Sequence, residues 1–523
     1  LRNINKELSL LSLQFGENTL KEDNSWKHFI DKESDLAGLP ESIKKAMALD
    51  AKKAGQEGKW LVTLHKSSWI PFLQYADNRE LRKLVYTGWM NRGNNGNEFD
   101  NNANLAKMAS FRVKKANLLG YNSWASYILE DNMAKTPEGV NELLMNLWNR
   151  ALPIAKNEVI EMQKIIDAEG GNFKLASWDW WYYTEKVRKA KYDLDEEELR
   201  PYFEINNVRN GMFDVIGKLW KIKFIERKDI PLPHPDALAF EVQENNGKHI
   251  GIFFMDFHPR ESKRGGAWMS SYRKQSKEDG KIITPIITNV LNFTKPTADK
   301  PALLSFDEVS TMYHEIGHGL HGLLSNTTYN KLSGTSVPRD FVELPAQIME
   351  HWAAEPQVLK MYAKHYLTGE VISDELIEKL KASSKFNQGF ITTEYLAASI
   401  LDLKWHTLTT DEIQNPATFE KNAMDEIGLI DEIIPRYKSG YFNHIFSGGY
   451  SAGYYAYIWA AVLDADAFKA FKETGDIFNQ EKAKLFRENV LSKGGTEDPM
   501  ILYKKFRGQE PKIEALLEKR GMN

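Results

Sequence analysis

The chain has 523 residues, no cysteine, 42% hydrophobic content and a formal net charge of −4 from 68 basic and 72 acidic residues. That near balance leaves no positive excess to neutralise phosphates, so nucleic acid is not an expected partner. The lack of cysteine excludes disulfides, thiolate nucleophiles and Cys-ligated metals; any transition metal has to sit on histidine and carboxylate.

The opening LRNINKELSLLSLQF places Leu1, Ile4, Leu8, Leu11 and Phe15 at helical spacing, with no initiator methionine. It reads as a helix entered midway, so an earlier N-terminal part is expected, and any targeting segment with it. The compartment of this soluble protein, cytoplasmic or periplasmic, is therefore left open. Further on, SWDWWYYTEK (177–186) reads as core or channel wall, because large aromatic side chains dominate buried area.

Between about 221 and 293 the texture changes. KIKFIERKD, ALAFEVQE, HIGIFFMDF and PIITNVLNF are short runs rich in β-branched and aromatic residues and predict a small sheet. Glu244-Asn245-Asn246-Gly247 predicts a hairpin turn, since the Asn-Gly step tolerates positive φ. The proline-rich DIPLPHPD (229–236) reads as a rigid connector. Elsewhere ELPAQIMEHWAAE, DELIEKLKASSKF and TEYLAASILDLKWH predict ordinary helices, so the chain is expected to be mainly α. The longest apolar run, YYAYIWAAVL from Tyr454 to Leu463, is too short to span a bilayer, and no membrane association is expected.

The stretch TMYHEIGHGLHGLL (311–324) carries a pattern with its own chemistry. On a helix His314 and His318 lie about 40° apart around the axis and roughly 6 Å along it, so their imidazoles converge on one point. A catalytic zinc ion takes three protein ligands and keeps one position for water. Glu315, on the adjacent flank, reaches that water without ligating the ion. The same spacing also suits two hydrogen-bonded core histidines, and a third ligand decides between the readings. His321 stands about 10 Å along the axis from His314, too far to share an ion with it, and belongs to packing. The metzincin pattern requires glycine where His321 stands, which disfavours that class.

Third-ligand candidates lie in SGTSVPRDFVELPAQIMEHWAAEP (333–356), a loop followed by a helix. Pro345 fits the first turn of that helix, which makes Glu343 a cap or first-turn residue able to aim a carboxylate at a fixed point. Glu350 lies two turns further on the same face. Spacing alone does not rank Glu343 over Glu350 or Asp340, any of which also suits capping or a salt bridge.

HEIGH followed by SGTSVPRDFVELPAQIMEHWA resembles the thimet oligopeptidase family of zinc peptidases. The resemblance extends to DFHPRESKRGGAWMSSY (256–272), SWDWWYYTEK and NHIFSGGYSAGYYAYIWA (443–460), and is nearest to the peptidyl-dipeptidase branch. It implies a zincin-like, multi-helical metallopeptidase with a small sheet beside the active-site helix and a deep substrate cleft. Residues 1–70 would be the remainder of an N-terminal helical region and 71–520 a catalytic region of two lobes. One zinc ion is implied, on His314, His318 and Glu343, the last matching the family's third ligand.

In that family the glycine-rich segment runs from a loop into a helix. Its counterparts here are Tyr450 and Tyr457, implicated in substrate and oxyanion stabilisation, with His444 alongside. His444 precedes Tyr450 by six residues, a spacing that resembles the dipeptidase branch. On spacing alone the segment reads rather as an aromatic core helix, and the resemblance reverses that reading. Tyr454 and Gly266 are further substrate-binding candidates. Arg339, Arg436 and Lys438 are the cations available for a substrate's C-terminal carboxylate.

The chemistry implied is attack of a zinc-activated water on a peptide bond, with Glu315 as base and Tyr457 on the oxyanion, releasing C-terminal dipeptides from short peptides. The protein is expected to act as a monomer. An endo-acting oligopeptidase of the same fold and a non-catalytic peptide- or metal-binding protein are the rivals.

Overall fold

The computed structural model describes residues 1–297 and 299–523. The chain forms two compact units, each built from separated segments. The first comprises Leu1–Asp193 and Lys385–Tyr455; the second comprises Leu194–Ser384 and Ala456–Asn523. Among the described residues no helix is long and apolar enough to cross a membrane.

The first unit is a helical assembly. The opening pattern forms a helix over Arg2–Ser25. Helices Pro137–Ala168 and Gln388–His406 pack along one another. The run TEYLAASILDLKWH falls in the second of these, which is buried over most of its length. SWDWWYYTEK forms a helical turn, Ser177–Asp179, and the start of helix Trp180–Tyr192. Its Trp180 is 1% exposed and stacks on Phe390 with ring centroids 4.5 Å apart.

Asp179 holds this corner together. It is fully buried and accepts from Arg79 Nη2 at 2.8 Å and from Arg82 Nη2 at 3.0 Å. Arg82 is itself 1% exposed, so the pair is an ion pair out of water. Removing one partner from such a pair strands the other's charge, which costs several kcal/mol. Asp179→Ala is therefore expected to lower the unfolding free energy by about 3 kcal/mol, read as a lower urea midpoint. A shift under about 1 kcal/mol, the size of an exposed pair, would mean that Arg82 finds water or another anion.

The second unit carries the sheet. Its strand order is Ile222–Glu226, Ala237–Glu244, His249–Asp256, Ile286–Val290, Trp268–Arg273, with one parallel pairing, between His249–Asp256 and Ile286–Val290. All four predicted runs are strands, and the DIPLPHPD connector joins the first two. The hairpin turn sits at Glu244–Lys248, with Gly247 at φ +85°. Trp268–Arg273, whose sequence has little alternation, forms the edge strand beside Ile286–Val290.

Helix Phe306–Leu323 lies against this sheet. Its start is fixed by a capping box: Ser305 Oγ accepts from Glu308 N at 3.1 Å and Glu308 Oε2 accepts from Ser305 N at 2.8 Å. Helix Leu344–Ala354 packs on the opposite side of Phe306–Leu323, with Pro345 in its first turn.

Candidate metal centre and active site

Phe306–Leu323 places His314, Glu315 and His318 on neighbouring flanks, and Leu344–Ala354 presents Glu343 from its N-terminal cap. Glu343 Oε2 stands 3.2 Å from His314 Nε2 and 3.1 Å from His318 Nε2. Among the described residues, these are the side chains whose ligand atoms gather tightly enough for a metal, all within 4.8 Å of one another. Glu343 is 1% exposed. Burial alone would raise its carboxyl, but the adjacent His318 and His314 imidazoles hold it well below the usual carboxylate range.

Glu350, left level with Glu343 by spacing, takes a different place. Its Oε1 lies 2.6 Å from His314 Nδ1, on the far side of the ring from Glu343. A carboxylate there fixes the tautomer that leaves Nε2 with its lone pair toward the metal position. Asp340 is fully buried in the short helical turn Arg339–Val342. His321 is fully buried too, and neither ring nitrogen has a hydrogen-bond partner; burial pushes its pKa down to about 3.

Glu315 is 4% exposed, and burial holds its carboxyl above the usual range. Its Oε2 has no hydrogen-bond partner in the protein. Two imidazole nitrogens and a carboxylate oxygen form the donor set that Zn²⁺ accepts, and a neighbouring carboxyl with an unspent oxygen suits a water beside the ion. The residues present therefore fit a divalent metal.

Two residues without an obvious sequence signal shape this centre. Gly317 lies where the two helices cross: a Cβ built there would stand 2.1 Å from the Pro345 carbonyl oxygen. A glycine inside an apolar helix costs about 1 kcal/mol relative to alanine, and that cost was the signal available. Gln347, one turn past Glu343, donates from Nε2 to the Tyr457 carbonyl at 3.0 Å. It ties the helix that follows Glu343 to helix Ala456–Lys472, whose first turn carries the half-buried Tyr457.

The remaining candidates fall into two groups. In the second unit, Arg339 opens the turn before Glu343, and Gly266, at φ +88°, precedes the edge strand. In the first unit, His444, Tyr450 and Tyr454 cluster together, with ring centroids 5.9 Å apart for His444–Tyr450 and 5.3 Å for His444–Tyr454. Tyr454 is 3% exposed. Arg436 lies 3.4 Å from Glu394, and Lys438 lies 3.7 Å from Glu420.

Fold and site together define a metallopeptidase with an H-E-x-x-H helix. A profile of Peptidase family M3 matches residues 72–522, and the chain belongs to that family. It is 41% identical to the dipeptidyl carboxypeptidase of Escherichia coli (strain K12), over 100% of this chain and 77% of that one. To oligopeptidase A of the same organism it is 39% identical, over 98% of this chain and 76% of that one. Among solved structures, the carboxypeptidase of Pyrococcus furiosus is similar at a TM-score of 0.49 and 12% identity, covering 99% of this chain and 98% of that one.

Proposed function

We propose that this chain is a zinc-dependent peptidyl-dipeptidase that releases dipeptides from the free C-terminus of short peptides. The convergence of His314, His318 and Glu343 beside the buried Glu315 carries the hydrolytic part of this reading. The exo-mode is supported by the 41% identity to the dipeptidyl carboxypeptidase. Zinc on the three ligands would supply Lewis acidity, making water acidic near neutrality and polarising the scissile carbonyl.

The rest is the work of the protein's own groups. Glu350 orients the His314 ring through Nδ1. Glu315, raised toward the working pH by burial, takes the water's proton and passes it to the leaving nitrogen. The Tyr457 hydroxyl, with Tyr450 and His444, provides donors for the oxyanion and the substrate. Trp268–Arg273, at the sheet's edge, offers backbone groups to an extended peptide, a mode that tolerates many side chains. Arg339 and Arg436 are the candidate partners of the terminal carboxylate.

The test is mass spectrometry of products from an N-blocked peptide with a free C-terminus, with and without a chelator, alongside the same peptide amidated. Chelator-sensitive loss of one C-terminal dipeptide, abolished by amidation, is the expected result. Undiminished cleavage of the amidated peptide would favour an endo-acting enzyme, the reading to which the 39% identity to oligopeptidase A lends weight. Stoichiometric zinc without cleavage of any peptide would leave a binding protein.

A further inference from the structure

In the first unit, helix Gln388–His406 presents a buried carboxylate to the glycine-rich segment. Asp402 is 1% exposed. Its Oδ1 accepts from Ala452 N at 2.9 Å and its Oδ2 from Tyr454 N at 2.9 Å. The two backbone groups it grips flank Gly453, whose own N–H donates to Tyr450 O at 2.9 Å. Ala452 is fully buried with φ +53°, a left-handed conformation that an L side chain disfavours and that persists only where its surroundings impose it.

The carboxylate is itself held. His406 Nδ1 lies 2.7 Å from Asp402 Oδ1, and His406 Nε2 lies 2.6 Å from Arg112 Nη1. Arginine has no acceptor, so Nε2 must accept and Nδ1 must carry the proton, which makes His406 neutral and a donor toward Asp402. Arg112 Nη2 also donates to Ile445 O at 2.7 Å. One relay of Arg112, His406 and Asp402 therefore grips the segment both before Gly448 and Gly449, at Ile445, and after them, at Ala452 and Tyr454. Between the grips, Gly448 and Gly449 are exposed and Tyr450 is half-buried. The Tyr395 hydroxyl adds a separate tie, to the Tyr454 carbonyl.

We propose that Asp402, backed by His406 and Arg112, is a positioning residue that latches the glycine-rich segment in the conformation that presents Tyr450 to substrate. This rests on the reading that the segment meets the substrate of a peptidase. A glycine-flanked segment without such a clamp samples many backbone conformations, and a displacement of about 1 Å in a positioning group costs roughly 100-fold in rate.

The experiment compares zinc-loaded wild type, Asp402→Asn and Tyr395→Phe. Amide hydrogen exchange is followed over 443–455, with steady-state kinetics on an N-blocked short peptide. In Asp402→Asn the Ala452 and Tyr454 amides are expected to lose protection while helix Phe306–Leu323 and the zinc content stay as in wild type. With it, kcat should fall roughly 10- to 100-fold, and KM should move less. Tyr395→Phe should show the same pattern at smaller size, and it decides the matter if Asp402→Asn does not fold.

Wild-type exchange in the segment, or raised exchange with wild-type kcat, would overturn the latch. A fall in kcat without local loss of protection would overturn it as well. Exchange requires no turnover, so a wild-type chain that cleaves nothing would defeat the peptidase reading while the latch's hold on the segment is still decided.

Discussion

Glu315→Gln is expected to keep its zinc and to lose roughly 1,000-fold or more in kcat, the upper part of the range for general acid–base groups. Glutamine matches the side chain in shape, and the convergent ligand set of His314, His318 and Glu343 is untouched by the exchange. What disappears is a group able to take a proton, on a residue only 4% exposed, where bulk water is a poor substitute. Burial holds the native carboxyl above the usual range, which makes it a stronger proton acceptor than an exposed carboxylate. Zinc stoichiometry by mass spectrometry and kcat on a short peptide read the two halves separately. Turnover within tenfold of wild type, with full zinc, would move the proton acceptor to another residue. Loss of zinc would instead make Glu315 part of the metal's support.

The convergence of the two histidines was legible because helix geometry is rigid: a spacing of four residues, His314 to His318, fixes where two imidazoles meet, and no tertiary knowledge is needed. Which carboxylate joins the two histidines was not legible from spacing. Glu343 and Glu350 are seven residues apart on one helical face, and only packing decides that one meets Nε2 and the other Nδ1 of the same ring. The family resemblance named Glu343, and the geometry gives Glu350 its separate place.

The sheet runs were readable by their β-branched and aromatic content. Trp268–Arg273 escaped because an edge strand with one buried neighbour needs no clean alternation, and its pattern W-M-S-S-Y-R has none. Asp402 carried a fainter signal: TEYLAASILDLKWH is apolar except for a few groups, and an acid in a mostly buried helix demands a partner. Beside His406, four residues on, its partners are backbone N–H groups 50 and 52 residues away, which no local pattern encodes. The two units were hidden for a related reason. The chain passes between them after Asp193, Ser384 and Tyr455; no proline- or glycine-rich linker marks the first two points, and the glycines before Tyr455 read as part of a candidate substrate-binding segment rather than as a boundary.

Gly317→Ala is expected to destroy the metal centre although it touches no ligand. In a helix interior the exchange ordinarily stabilises by about 1 kcal/mol, so propensity predicts a gain. Packing predicts the opposite. The new methyl would stand 2.1 Å from Pro345 O and 2.5 Å from Ala346 Cα, both backbone atoms in the first turn after Glu343. Neither can rotate aside, so the helices must part, and Glu343 moves with its own. A zinc–oxygen bond tolerates only about 0.2 Å, so zinc affinity should fall by at least the roughly 10–100-fold typical of a disturbed supporting contact. Overpacking should also lower the stability of the zinc-free protein by about 1–3 kcal/mol. Gly319→Ala is the control on the same helix: its methyl would meet Phe253 Cε2 at 3.3 Å and Asn289 Oδ1 at 3.5 Å, side-chain atoms that can give way. If Gly317→Ala instead raises the melting temperature and binds zinc as wild type does, the helices have room to spare at their crossing, and the close approach is not what brings Glu343 to the two histidines.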